Sequence, residues 1–412
     1  MKYIVLLGDG MADFPLEQLV GQTPLEAAKT PAMDSLASMG ILGQFCPIPD
    51  DLPPGSDVGN LSVFGYNPHE HFTGRAPIEA VNQGIALGAD QVCFRCNFVT
   101  LTDDRMTSFT AGHMSNEDGA QLIAALNEAL ADEPVTFHPG VGYRNLCIVT
   151  VGDQVAALAH VVCEPPHNIT DQVVTPYLPH GAAEALPRRL MRRSREILAN
   201  HPVNRARHAR GEHPATQIWL WGQGLAPSLA TYKERFNIAG SVVSAVDLVN
   251  GIGRCAGFEV LRVQGATGYL DTNYAGKVRA ALDSLERVDF TYLHVEAPDE
   301  TSHEGRTDLK IQAIEDFDRR VVAPCIEYLD RVGDVRILVA PDHVTAISTK
   351  THAGGPVPFA LAGRNVDQTG STCYTEAAAA KSGILVAAGH RLVPAMIQQP
   401  RIDAATLNAL GS

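Results

Sequence analysis

Three short apolar runs in this chain finish on an aspartate, and two of them have histidine close behind. Residues 3–7 lead into Gly8-Asp9-Gly10. Residues 289–295 lead into Pro298-Asp299, followed by His303, and residues 335–340 lead into Pro341-Asp342-His343, followed by His352. Carboxylate oxygens combined with imidazole nitrogens suit manganese, zinc or iron better than calcium. Asp299 and His303 are one helical turn apart and would share a face. Asp342 and His343 are adjacent, so a sharp loop after a strand lets them reach different points of one cluster. His352 lies in a small-residue loop, Thr351-His352-Ala353-Gly354-Gly355-Pro356, where backbone can come close to an ion.

The chemistry that follows is phosphoryl transfer. Two cations about 4 Å apart hold the attacking and leaving oxygens of an in-line displacement. They also acidify a hydroxyl until it becomes a nucleophile. Ser56 closes a Pro/Gly-rich loop (residues 47–55) and precedes a helical pattern. At a helix N-terminus, free N–H groups and the helix dipole favour a phosphate.

Such ligands need a platform, and apolar runs ending in loops that carry function are the pattern of an open α/β sheet. Thr23-Pro24 and Thr30-Pro31 read as two helix starts. After residue 75 the character changes, with strand-like runs at 92–101, 135–137, 146–151 and 155–162 and a helical segment at 118–130. Residues 187–197 form a helix dense in arginine, where Arg188/Arg192 and Arg189/Arg193 stack at i,i+4; they read as solvated or paired with surface carboxylates, or else as attracting an anionic substrate. A loop covers residues 200–214. From Gln217 the α/β rhythm resumes, with strands at 218–221, 242–243 and 258–263. An amphipathic helix with Ile311, Ile314, Phe317, Val321, Cys325 and Leu329 separates the last two aspartate-ending strands. The predicted organisation is one α/β domain, residues 1–74 with 215–412, into which an α+β domain of residues 75–214 is inserted.

Composition sets the partners. The chain has 412 residues, 45% hydrophobic and 19% charged, with a formal charge of −14. That charge excludes nucleic acid or an anionic membrane as the main partner and leaves a small phosphorylated molecule gripped by local arginines. Neither a signal peptide nor a span of about 20 apolar residues is recognisable. The eight cysteines are scattered, which predicts free thiols and a cytoplasmic location. Cys93-Phe94-Arg95-Cys96 has C-x-x-C spacing but reads as a strand with two thiols.

Many segments, in order, resemble the archaeal-type cofactor-independent phosphoglycerate mutases of the alkaline phosphatase superfamily. They include Gly8-Asp9-Gly10-Met11-Ala12-Asp13, Pro54-Gly55-Ser56-Asp57, Phe64-Gly65-Tyr66-Asn67-Pro68, Trp219-Leu220-Trp221-Gly222-Gln223-Gly224 and Ala297-Pro298-Asp299-Glu300. The resemblance implies an alkaline-phosphatase-like three-layer α/β/α core with a smaller α+β insertion. It implies one divalent metal, manganese first among manganese, zinc, cobalt and magnesium, on Asp299, His303 and His352. A second would sit on Asp9, Asp342 and His343 with the Ser56 hydroxyl. Phosphate would move between the 3- and 2-positions of glycerate through phosphoserine. Arg75, Arg95, Arg105 and Lys277 are the candidate substrate residues, because guanidinium suits carboxylate and phosphate. His113, His138 and His167 are candidate acid/base groups, His113 also for substrate binding. Two departures, Asn60 where many such mutases have histidine and Asp103-Asp104-Arg105-Met106 without a doubled arginine, are expected near the substrate. They keep open a related phosphotransferase, with homoserine as acceptor, or a phosphatase.

Overall fold

The computed structural model describes residues 1–411. In chain order the strands are β1 (Lys2–Gly8), β2 (Ile41–Phe45), β3 (Gln91–Thr102), β4 (Arg105–Ser108), β5 (Val135–Val141), β6 (Arg144–Thr150), β7 (Gln217–Gly224) and β8 (Gly240–Val243). They continue as β9 (Glu259–Val260), β10 (Phe290–Val295), β11 (Val335–Ala340), β12 (Val344–Ala346), β13 (Thr351–Ala353), β14 (Val357–Gly363) and β15 (Leu385–Val386). Two compact units share the chain: Met1–Phe72 with everything from Ser228 onward, and the intervening Thr73–Pro227.

The first unit is built on an eight-stranded mixed sheet in the order β15-β2-β14-β11-β1-β10-β8-β9. β1 lies parallel between β10 and β11, with Leu7 opposite both His294 and Ala340. All six residues of β10 and of β11 are buried. Helices cover both faces, which is why these strands read as continuous apolar runs and not as alternating ones. On one face Ile4, Leu6, Leu293, Val295, Ile337 and Val339 pack with Val278, Ala281, Phe317, Val321 and Cys325. On the other, Phe64, just after the Ser56–Val63 helix, stacks on Tyr292 at 4.1 Å between ring centroids. The three-layer α/β/α arrangement expected from sequence is therefore present. Thr23 closes a capping box on its short helix as anticipated, whereas Thr30 makes no side-chain cap.

The second unit holds a five-stranded sheet in which β6 flanks β3 on one side and β7 pairs with β3. Three expectations change here. β7 does not resume the α/β domain; it pairs antiparallel with β3 from Cys93 to Val99. The run at 155–162 is not a strand, because Val155–Ala159 is a helix led in by a 3-10 turn at Gly152–Gln154. A short Val/Ala/Leu run fits either period, and alanine favours the helix. The supposed loop at 200–214 contains a helix, Pro202–Ala209, with Pro202 at its first turn and the His201 imidazole accepting from the Val203 N–H. In the first unit, likewise, the strand expected at 258–263 shrinks to Glu259–Val260.

The arginine-rich helix, Ala185–Ala199, is structural. Arg189 holds Glu133 with two bonds of 2.8 Å, and Arg193 bridges Asp132 and Glu133. Cys93 and Cys96 lie on opposite faces of β3, in separate apolar clusters, as odd spacing along a strand dictates. Each of the eight cysteines is a free thiol.

Candidate metal centre

Three neighbouring parallel strands deliver the carboxylates. Asp9 follows β1 directly, Asp342 follows β11, and Asp299 sits in the first turn of the Ala297–His303 helix just after β10. That helix brings His303 round to the Asp299 carboxylate at 3.2 Å. His352 arrives on the β12–β13 hairpin, opposite Thr345, and lies 3.3 Å from the other Asp299 oxygen. The Nε2 atoms of His303 and His352 face one another at 3.0 Å. His343 Nε2 is 3.4 Å from both Asp9 and Asp342. Ser56, first residue of its helix, places its hydroxyl 3.1 Å from the same His343 nitrogen. Every metal-ligating residue expected from the sequence is thus in one cluster within the first unit.

Backbone closeness makes this possible at two glycines. Gly10 has φ +58°, and a Cβ there would stand 2.7 Å from an Asp299 oxygen. At Gly59, in the Ser56 helix, a Cβ would meet the Asp342 carbonyl at 2.5 Å. Neither position accepts a side chain without displacing the Asp299 or Asp342 region of the cluster.

The donor set fits a divalent cation. Thr345 donates to Asp299 Oδ1 at 2.6 Å and is therefore free to accept from His343 Nδ1 at 3.1 Å. This leaves the His343 Nε2 lone pair aimed at Ser56, Asp9 and Asp342. Asp9 Oδ1 is buried and has no hydrogen-bond partner among the described residues. Three three-residue sets, Asp299/His343/His352, Asp9/Asp342/His343 and Asp9/His294/Glu296, each have ligand atoms within 4.8 Å of one another. The electrostatics point the same way. Burial and then the Asp342 charge push the Asp9 carboxyl well up, and burial carries Asp342 to about 7. Burial holds His343 down, to about 3, which keeps its imidazole neutral. Asp299 goes in the opposite direction, because hydrogen bonds from His303 and His352 outweigh its burial; burial opposes His303 protonation, yet Asp299 holds it up at about 9. Protons at this cluster stand where positive charge is wanted.

The family profile described as 2,3-bisphosphoglycerate-independent phosphoglycerate mutase matches residues 37–204. A Geobacter sulfurreducens relative named "Probable 2,3-bisphosphoglycerate-independent phosphoglycerate mutase" is 47% identical over 97% of this chain and 100% of its own length. A Methanothrix thermoacetophila relative bearing the mutase name is also 47% identical, over 96% of this chain and all of its own. The chain belongs to the 2,3-bisphosphoglycerate-independent phosphoglycerate mutase family. A solved protein from Pyrococcus horikoshii superposes with TM-score 0.78 at 31% identity, covering 96% of both chains. The cofactor-independent phosphoglycerate mutase of Thermoplasma acidophilum shares the fold, with TM-score 0.63 at 24% identity over all of both chains.

Asn60, singled out in the sequence, lies against the carboxylate–imidazole cluster. Its Nδ2 donates to Asp342 at 2.6 Å, and its oxygen accepts from the Tyr292 hydroxyl at 2.8 Å. Asn60 thus orients Asp342 within the cluster. Thr345, Tyr292 and His294 were not anticipated from sequence. Their signal was a polar group inside an otherwise apolar strand, which elsewhere is often only a satisfied core residue.

In the second unit the candidate substrate residues separate. Arg75 and Arg95 each approach Glu79 at 3.1 Å. Arg95 also lies over the Trp221 ring at 4.3 Å. From Trp221, ring contacts pass through His167, Phe109 and Tyr143 to His113. Arg105 stands outside this string, exposed, with its guanidinium on the Asp171 carbonyl. His138 is on β5. Lys277 belongs to the first unit, where it is fully buried and donates to the His294 carbonyl at 3.2 Å. Burial lowers its ammonium to about 8.

Arg95 is buried, and burial draws its guanidinium down to about 10 against the support of Glu79. Glu79→Ala leaves that charge uncompensated and is expected to cost about 3–5 kcal/mol. A urea titration should show the transition moving to lower denaturant; an unchanged midpoint would remove Glu79 as the anchor.

Proposed function

We propose that this protein interconverts 3-phosphoglycerate and 2-phosphoglycerate through a phosphoserine at Ser56, without 2,3-bisphosphoglycerate. The observation that carries this reading is the Ser56 hydroxyl at a helix N-terminus, 3.1 Å from His343 within the carboxylate–imidazole cluster. Two divalent ions, of the manganese, zinc or iron class that these donors suit, would be held by Asp299, His303 and His352 and by Asp9, Asp342 and His343, supplying positive charge for the phosphoryl oxygens and lowering the pKa of the serine hydroxyl. Ser56 Oγ attacks phosphorus as the bond to the glycerate 3-oxygen breaks, and the proton lost from Ser56 ends on that oxygen. The 2-hydroxyl then gives up a proton and attacks the phosphoserine, restoring Ser56. Asn60 fixes Asp342, and the helix N-terminus, where Ser56 presents its hydroxyl, favours the phosphoryl group. Arg75 and Arg95 of the second unit are assigned to the substrate's anionic groups, with Glu79 setting their geometry.

No helix among the described residues is long and apolar enough to cross a membrane. No feature of the cluster favours homoserine as acceptor. Purified protein given manganese and 3-phosphoglycerate, with 2-phosphoglycerate and free phosphate both followed, tests the reading. Isomerisation with little phosphate release is the expected outcome. Phosphate release alone would make the protein a phosphatase, and neither product would end the proposal.

A further inference from the structure

His294 is fully buried in β10, in the run Phe290-Thr291-Tyr292-Leu293-His294-Val295. An imidazole in such a strand requires partners for both nitrogens. Nε2 is 2.7 Å from Asp9 Oδ2, and Nδ1 is 3.1 Å from the Ser244 hydroxyl. Ser244 Oγ already accepts from the Val246 N–H at 2.9 Å, so its own proton is directed to Nδ1. Once ionised, as a metal ligand must be, Asp9 Oδ2 only accepts, which places the imidazole proton on Nε2. Glu296 also faces Nε2, but at 3.3 Å. The register is set by the sheet: β1 and β10 are neighbours, and the Asp9 N–H donates to the Val295 carbonyl at 2.9 Å. Behind the imidazole, the Lys277 ammonium grips the His294 carbonyl.

Asp9 thus has one oxygen engaged by His294 and the other, Oδ1, buried without a partner and directed toward His343. We propose that His294, held in its Nε2–H form by Ser244, is a positioning residue that clamps Asp9 Oδ2 so that Oδ1 alone is presented to a metal. This rests on the metal-dependent reading given above. Partners of this kind fix the orientation of a ligand, and losing one lowers metal affinity about 10–100-fold.

The test is manganese titration by calorimetry of metal-stripped full-length protein, with circular dichroism to check folding. His294→Phe keeps a ring of similar volume without the donor and should weaken one class of manganese site about 10–100-fold while leaving the other near wild type. His294→Gln, whose amide nitrogen can stand in for Nε2–H, should recover most of that loss. Ser244→Ala, a milder change, should weaken the same class by a smaller factor and serves if His294→Phe does not fold. Wild-type isotherms for a folded His294→Phe would overturn the proposal. So would a His294→Gln protein no better than His294→Phe, or a folded Ser244→Ala protein with unaltered affinity when His294→Phe is lost. The wild-type isotherm and the mutase assay test the parent reading separately; the ratio of variant to wild type tests His294.

Discussion

Ser56→Ala is expected to lower mutase turnover by at least about 10⁴-fold while the protein still binds manganese. The residue occupies the first position of the Ser56–Val63 helix, where alanine is a good helix former, and the helix keeps its Gly55 entry. Among the described residues the hydroxyl hydrogen-bonds to His343. Folding and the carboxylate–imidazole cluster should therefore survive its loss, and what disappears is the attacking oxygen. Coupled-enzyme assay and elemental analysis on the same preparation read both quantities. Turnover within tenfold of wild type would show that phosphate does not pass through Ser56.

Asp299→Asn should lower bound manganese and reduce turnover by roughly 10³-fold. Both oxygens of Asp299 are engaged, one by His303 and the other by His352 and Thr345. Asparagine keeps the outline but offers one oxygen and no charge. A second readout is available in the metal-free protein. Burial disfavours the His303 imidazolium and Asp299 restores it, to about 9. Without the carboxylate, burial is less opposed, and the imidazole C–H resonances of His303 should titrate at lower pH. A His303 titration that stays where it is in the wild type would place its stabilising charge elsewhere.

The site was largely legible before the fold. Asp9, Asp299 and Asp342 each follow an apolar run, and three buried parallel strands side by side turn that local grammar into one cluster. His303 followed from helical spacing, and Ser56 from a Gly/Pro-rich approach to a helix. What escaped depends on distance in sequence. The Trp219–Trp221 region looks like any buried strand, and nothing local says that it pairs with Asn97 and Arg95 rather than rejoining the larger sheet. Asn60 was noticed for its identity, but its contact with Asp342 joins residues 282 positions apart. His294 was overlooked because one histidine in an apolar strand carries no period. The run at 155–162 misled for a simpler reason: five residues of valine, alanine and leucine satisfy both regular structures.

β1 runs through the middle of its sheet, yet its partners β10 and β11 lie some three hundred residues downstream. On the ribosome this apolar strand must therefore wait, unpaired, for tens of seconds at ordinary elongation rates. The Thr73–Pro227 unit is contiguous and can close on itself in that interval. Biogenesis would then run from the middle of the chain outward, the cation-binding pocket assembling only after Asp342 leaves the exit tunnel. Nascent chains halted before that point would expose a sticky strand, making them natural clients of holding chaperones.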